Sequence, residues 1–251
     1  EITVENVASL ALDRSTARIG DGTRFTVNGR SLRPNRSDGR WLIFELTPPL
    51  RLDGFPPPKR KGLCGPVEEV FDGPFVLVQG TAGNREEDAE IASDVRTWAA
   101  EWDAFADGYP RVVTDTELTD DQIRSYNLVL FGTPQTNSVL ARIAPKLPIA
   151  IGRGEYRVGE HRFSGKNLGL VMCYPNPIAP DHYIAVYSGP LYGRRLAVNH
   201  KHDLLPDFLI FRCDRFEYDD TEMWVCGGFF DARWQLSPET TWINVRALAQ
   251  D

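Results

Sequence analysis

A chain of 251 residues, 42% hydrophobic and 11% aromatic, can bury a large core without support from disulfides or metals. Its formal charge of −7 and pI near 5.2 speak against a general nucleic-acid or anionic-membrane binder, because both surfaces call for a basic face. No stretch reaches the roughly 20 apolar residues that span a bilayer, and the opening EITVENVASL has neither the basic flank nor the apolar run of a signal peptide.

Residues 1–55 alternate in the β manner through ITVENVASLALD, TRFTVNGRSL and RWLIFELT, with Gly20 to Gly22 and Asn28-Gly29 as turns. This predicts a β-rich hairpin segment. A proline triplet and the basic cluster Lys59 to Lys61 follow, and residues 56–72 read as a solvated linker. PFVLVQG then has the continuous apolar character of a strand buried on both faces. Asn84 with Glu87 three residues on forms a capping-box signature. Behind it Ile91, Val95, Trp98, Trp102 and Phe105 share one helical stripe, and Gly108 is placed to end the helix.

RVVTDTEL reads as the next strand, followed by a short helix capped by Thr119 with Gln122, the buried strand NLVLFG, and a helix opened by Thr133 and Pro134. Alternation of strands and helices implies a parallel sheet. After Pro148 short strands dominate: EYRVGEHRF, NLGLVMCYP, HYIAVYSG, DFLIFRC and MWVCGGFF. The pattern predicts an α/β fold over 73–251, a three-layer Rossmann-like domain whose mainly parallel sheet is extended by antiparallel strands.

Three loops follow buried strands: GTAGN, GTPQTN and YPNP. If their strands are parallel neighbours, the loops converge at the carboxyl edge of the sheet, where open α/β proteins hold ligands. Thr81, Asn84, Thr133, Asn137, Tyr174 and Asn176 are then the candidate ligand contacts, although Thr133-Pro134 and Asn84 also serve simply as caps. None of the loops is a G-x-G-x-x-G or P-loop sequence.

NHKHD places His200, His202 and Asp203 together as weak candidates for a metal, but no third His follows and an exposed loop is the simpler reading. No G-x-S-x-G elbow occurs, and Cys173 lies within an apolar strand that makes its thiol inert. No catalytic residue is therefore assigned, and no cofactor is implied. The four cysteines are too scattered for a disulfide scaffold, with Cys213 and Cys226 able to pair only if their strands are antiparallel neighbours.

The strings RKGLCGPVEEVFDGPFVLV, YNLVLFGTPQTNSVLARIAPKLPI, VMCYPNPIAPDHYIAVYSG and CGGFFDARWQL together resemble the region that follows the catalytic domain in large bacterial α/β-hydrolase proteins of the prolyl-oligopeptidase-like and depolymerase-like esterase group. The resemblance implies a C-terminal accessory domain, its partner the serine-hydrolase domain of the same parent protein, in a secreted or periplasmic setting. It carries no catalytic residue onto this sequence, since the group's nucleophile belongs to the preceding domain. A start at Glu1 is the start expected of a processed or excised part of such a protein. Trp41, Trp224, Trp234 and Trp242 are candidate docking aromatics. The alternative function is a small-ligand-binding or enzymatic domain with its site at the carboxyl edge of the sheet.

Overall fold

The computed structural model describes residues 1–4, 7, 9–46, 55–194, 196, 201, 205–216 and 222–248. The chain divides into two units, Glu1–Asp53 and Gly54–Asp251.

In the first unit short alternating runs give β1 (Ser9–Asp13), β2 (Phe25–Val27), β3 (Arg30–Leu32), β4 (Arg36–Ser37) and β5 (Trp41–Glu45). Strand β5 lies between β1 and β4, antiparallel to both, with Leu10 opposite Phe44 and Leu12 opposite Leu42. Asn28 and Gly29, both at positive φ, close the β2–β3 hairpin in the manner of a two-residue primed turn. Val27, Leu42 and Phe44 are buried, and Phe25 meets Phe44 edge-on at 4.9 Å.

The second unit runs β6 (Phe75–Gln79), α1 (Arg85–Ala106), β7 (Arg111–Thr114), α2 (Asp120–Ser125), β8 (Asn127–Phe131), α3 (Ser138–Ile143), β9 (Ile149–Gly152), β10 (Glu155–Val158), β11 (His161–Ser164), β12 (Leu168–Pro175), β13 (Tyr183–Ser188), β14 (Phe208–Phe216), β15 (Glu222–Gly228), β16 (Thr241–Ile243) and α4 (Val245–Leu248). Eight strands form one sheet in the order β16-β15-β14-β12-β13-β8-β6-β7, and β9 to β11 make a separate antiparallel sheet.

This architecture corrects the predicted Rossmann-like three-layer α/β domain. Strands hold 36% of the residues and helices 20%, so the protein is mostly β. Only β13/β8, β8/β6 and β6/β7 pair in parallel, while β12/β13, β12/β14, β14/β15 and β15/β16 are antiparallel. The physical reason lies in the connections. A parallel crossover needs about a dozen residues or more, and the link from Pro175 to Tyr183 is too short for one, so β12 and β13 fold back as a hairpin. Their continuous apolar runs report burial on both faces and say nothing of direction.

Helix α1 is placed by local chemistry. Asn84 accepts from the backbone N–H of Glu86 and Glu87, and Glu87 returns a bond to Asn84 N. Val95 and Trp98 are buried against the sheet, and Trp102 stacks on Trp98 with centroids 5.4 Å apart. Phe105, placed on the inward stripe by spacing, is 52% exposed because the helix runs past the sheet, and the chain leaves it through Asp107 in the left-handed conformation rather than at Gly108. The third helix also begins later than its sequence suggests. Residues 134–136 form a turn and Asn137 caps α3, accepting from Val139 N and Leu140 N.

Residues 56–72 lie in the second unit and contribute Leu63, Val67 and Val70 to its core, the last two from a 3₁₀ turn at Val67–Phe71. Lys59, in the basic cluster, forms an ion pair with the fully buried Asp207 at 2.5 Å. No helix among the described residues is long and apolar enough to cross a membrane.

Candidate functional site

Strand direction sorts the candidate loops onto two edges of the sheet. The carboxyl ends of β6, β8, β13 and β14 lie on one edge, together with the amino ends of β12 and β15. GTAGN and GTPQTN share that edge. YPNP lies on the opposite one, because β12 runs against β13. Tyr174 there packs edge-on against Phe55, Phe230 and Trp234, and Asn176 is buried with its side-chain oxygen accepting from Ile178 N at 3.0 Å.

On the first edge most of the candidate polar groups are spent on the fold. Thr81 donates to Asp115 Oδ1 at 2.6 Å, and Asp115 Oδ2 accepts from Ser138 N at 2.6 Å. Burial alone would raise the Asp115 carboxyl, but the Ser138 and Thr81 bonds outweigh it and hold the group below the ordinary carboxylate range. Asn84 caps α1. Asn137 caps α3 and donates to Phe131 O and Val78 O, stitching β6 to β8. Gly132, at φ +119°, lets the chain turn where a Cβ would stand 2.6 Å from Thr136 Oγ1. Of the six predicted contacts, Thr133 lines open space.

That space is a cleft of about 680 Å³, within the size range of small-molecule sites. One wall is the α1 face carrying Glu87, Glu90, Ile91 and Asp94, neighbours at helical spacing. The floor is Phe131 and Tyr187 from adjacent parallel strands, stacked with centroids 5.2 Å apart. Arg153 from the β9–β10 turn grips Glu87 with two nitrogens, at 2.7 and 3.1 Å. Arg194, beyond β13, pairs with Asp94. The far wall holds Cys213, Phe216 and Glu222.

Glu222 opens β15 and is 2% exposed. Its Oε1 accepts from Gly193 N at 3.1 Å, and its buried Oε2 has no hydrogen-bond partner among the described residues. Burial pushes its carboxyl above the ordinary range, against smaller opposing effects of backbone donors and Lys201. Lys201 is itself buried, in ion-pair contact with Glu101 but with no hydrogen-bond partner among the described residues.

No family model matches this chain, and no curated protein matches it.

The opposite edge carries a second polar cluster. The Tyr183 hydroxyl donates to Glu69 and accepts from Gly65 N at 2.8 Å, while Glu69 also accepts from the backbone of Cys64 and Gly65. Asp207 accepts from Lys59 and from Phe230 N at 2.8 Å, and Lys59 lies 4.6 Å from the Trp234 ring centre. The cluster latches residues 59–69 onto the sheet. Its cysteines are poor nucleophiles: burial and the Glu69 charge push up the Cys64 thiol, and full burial with the Asp207 charge pushes up Cys173.

All four cysteines are free, Cys213 and Cys226 included. Their strands are indeed antiparallel neighbours, but Cys226 faces Ile210 rather than Cys213. Trp234 is fully buried, whereas Trp41 and Trp242 are each 36% exposed. His200, His202 and Asp203 lie outside the described residues, and among the described residues no group of three potential ligands is placed to hold a metal. Glu222, Tyr187 and Arg194 escaped the sequence reading because they come from segments far apart in the chain. The one local mark of Glu222 is a lone carboxylate opening an apolar strand.

Proposed function

We propose that the second unit is a binding module that captures a small molecule in the cleft between α1 and the carboxyl ends of β8 and β13. One observation carries this reading: Glu222, which lines the ligand-sized cleft, has a buried carboxylate oxygen with no hydrogen-bond partner among the described residues. Such an atom is costly to leave unmatched. Capture also agrees with the raised thiols of Cys64, Cys173 and Cys213, none of which is activated for attack.

The test is protein-observed NMR of the full chain against mixed small molecules: amines, carboxylates, sugars and neutral aromatics. Shifts concentrated at the amides of Gly132, Gly189 and Glu222 are expected, weakened by Thr133→Ala without loss of folding. Shifts confined to other surfaces, or none, would remove the proposal.

A second reading makes this unit a non-catalytic accessory domain of an exported bacterial serine hydrolase, as the resemblance of its sequence strings implies. It is favoured by Phe105, Tyr109 and Val112, exposed on and beside β7, the outermost strand of the sheet on that side among the described residues. An open sheet edge flanked by apolar side chains is a surface that a partner can cover. Mixing the chain with the hydrolase portion should give a complex on gel filtration and altered hydrolase activity; absence of both would exclude it.

A further inference from the structure

Among the described residues that line the cleft the charges do not cancel. Arg153 is committed to Glu87 and Arg194 to Asp94, which leaves Glu90 and Glu222 against the exposed Lys166 at the rim. Lys201 comes within electrostatic reach of Glu222 but is paired with Glu101. Position decides which residual charge matters most. Lys166 is hydrated and screened, whereas Glu222 is buried, and a buried ion discriminates strongly between ligands that supply a matching charged donor and those that do not.

Resting on the capture reading above, we infer that the cleft selects a ligand bearing a compact cation, a primary ammonium or a guanidinium, on a flat apolar body, with Glu222 Oε2 as the anchor for the cation. The geometry suits both halves of such a molecule. Glu222, on the cleft wall, has one buried acceptor with no hydrogen-bond partner among the described residues beside an oxygen already fixed by Gly193 N, so the carboxylate is held in orientation before a ligand arrives. Phe131 and Tyr187 stack as an aromatic floor, and Ile91 and Leu191 line the same space. Aromatic faces attract cations as well as flat rings. An anion would meet Glu222 and Glu90 in the cleft. A neutral alcohol would satisfy the acceptor without compensating its charge.

Isothermal titration of the full chain with phenethylamine, tryptamine and agmatine, beside phenethyl alcohol and 3-phenylpropanoate, tests the inference. A charge-assisted bond to a buried carboxylate predicts that at least one cation binds about tenfold to a hundredfold more tightly than the alcohol, and that the carboxylate does not bind. Glu222→Gln, which keeps an acceptor for Gly193 N, should erase that preference. The wild-type series decides the matter even if the variant folds poorly. Equal or tighter binding of the alcohol or the carboxylate at the Gly132 and Gly189 amides would overturn cation selection and leave capture standing. Failure of every probe, charged or neutral, to reach those amides would overturn both.

Discussion

Replacing Lys59 with Met removes the cation that faces Asp207 while keeping an apolar stem over Trp234. Asp207 has no exposed side-chain surface, and its remaining donors are Phe230 N at 2.8 Å and, weakly, the Cys173 thiol at 4.0 Å. Burial already outweighs Lys59 and holds this carboxyl above its ordinary range. Without Lys59, burial and the Glu69 charge are opposed by the Phe230 N–H and not by a cation, and the group takes up a proton on folding. A carboxyl with an unfolded pKa of about 3.9 costs about 1.36 kcal/mol per pH unit to keep protonated, so the loss is at most about 4 kcal/mol at about pH 7 and about 1.5 kcal/mol at about pH 5. The sign follows from a folded pKa raised above the unfolded one: stability is fully present below the unfolded value and falls as pH rises. Urea unfolding of wild type and Lys59→Met at both pH values, followed by circular dichroism, reads this directly. The double variant Lys59→Met, Asp207→Asn should lose the pH dependence. An equal loss at both pH values in the single variant would refute the reasoning.

Asp115→Asn should destabilise the protein by about 1–3 kcal/mol, the usual cost of weakening a buried charge-assisted bond, measured as a lower urea midpoint. Because the Asp115 carboxyl is held below its ordinary range, its contribution is present above the unfolded pKa and fades as pH falls through the depressed value, so wild type and variant should converge in acid. Asn137→Ala removes a helix cap and two side-chain bonds to strand carbonyls, and should cost about 2 kcal/mol in thermal or urea unfolding, where a cap alone costs about 1. Because burial raises the Glu222 carboxyl above its ordinary range, affinity for an ammonium ligand should rise with pH as the group loses its proton, as titration calorimetry over a pH series would read. Arg194, Lys201, Tyr192 and Cys213 lie within electrostatic reach of it, and Asp94, the partner of Arg194, lines the same cleft. Burial keeps Tyr192 and Cys213 neutral, so a rise that persisted in Glu222→Gln would point to Asp94 and contradict the assignment.

Features set by neighbours in sequence were readable. Asn84 and Glu87 build their capping box from four consecutive residues, and β6, β8 and β12 announce themselves as apolar runs. Features set by distant partners were not. Thr133 and Asn137 are both good caps by type, and Asn137 wins because its amide also reaches carbonyls of β6 and β8. Lys59 looked solvated because its counter-ion, Asp207, lies 148 positions along the chain. The direction of β12 depends on a connection too short for a crossover, a constraint that the apolar pattern of the strand itself does not carry. Once that direction is known, YPNP moves away from GTPQTN and the cleft takes its far wall from β14 and β15.

The placing of β13 beside β8 has a consequence for the protein as it is made. During translation β6, β7 and β8 leave the ribosome well before β13, so β8, buried along its whole length in the finished sheet, spends an interval with one hydrogen-bonding flank bare. Nascent chains in which β8 but not β13 has left the ribosome should therefore be sticky and should recruit chaperones, and chains long enough to bring β13 clear of the exit tunnel should not; ribosome-bound truncations probed by chaperone crosslinking would show whether that vulnerable interval exists.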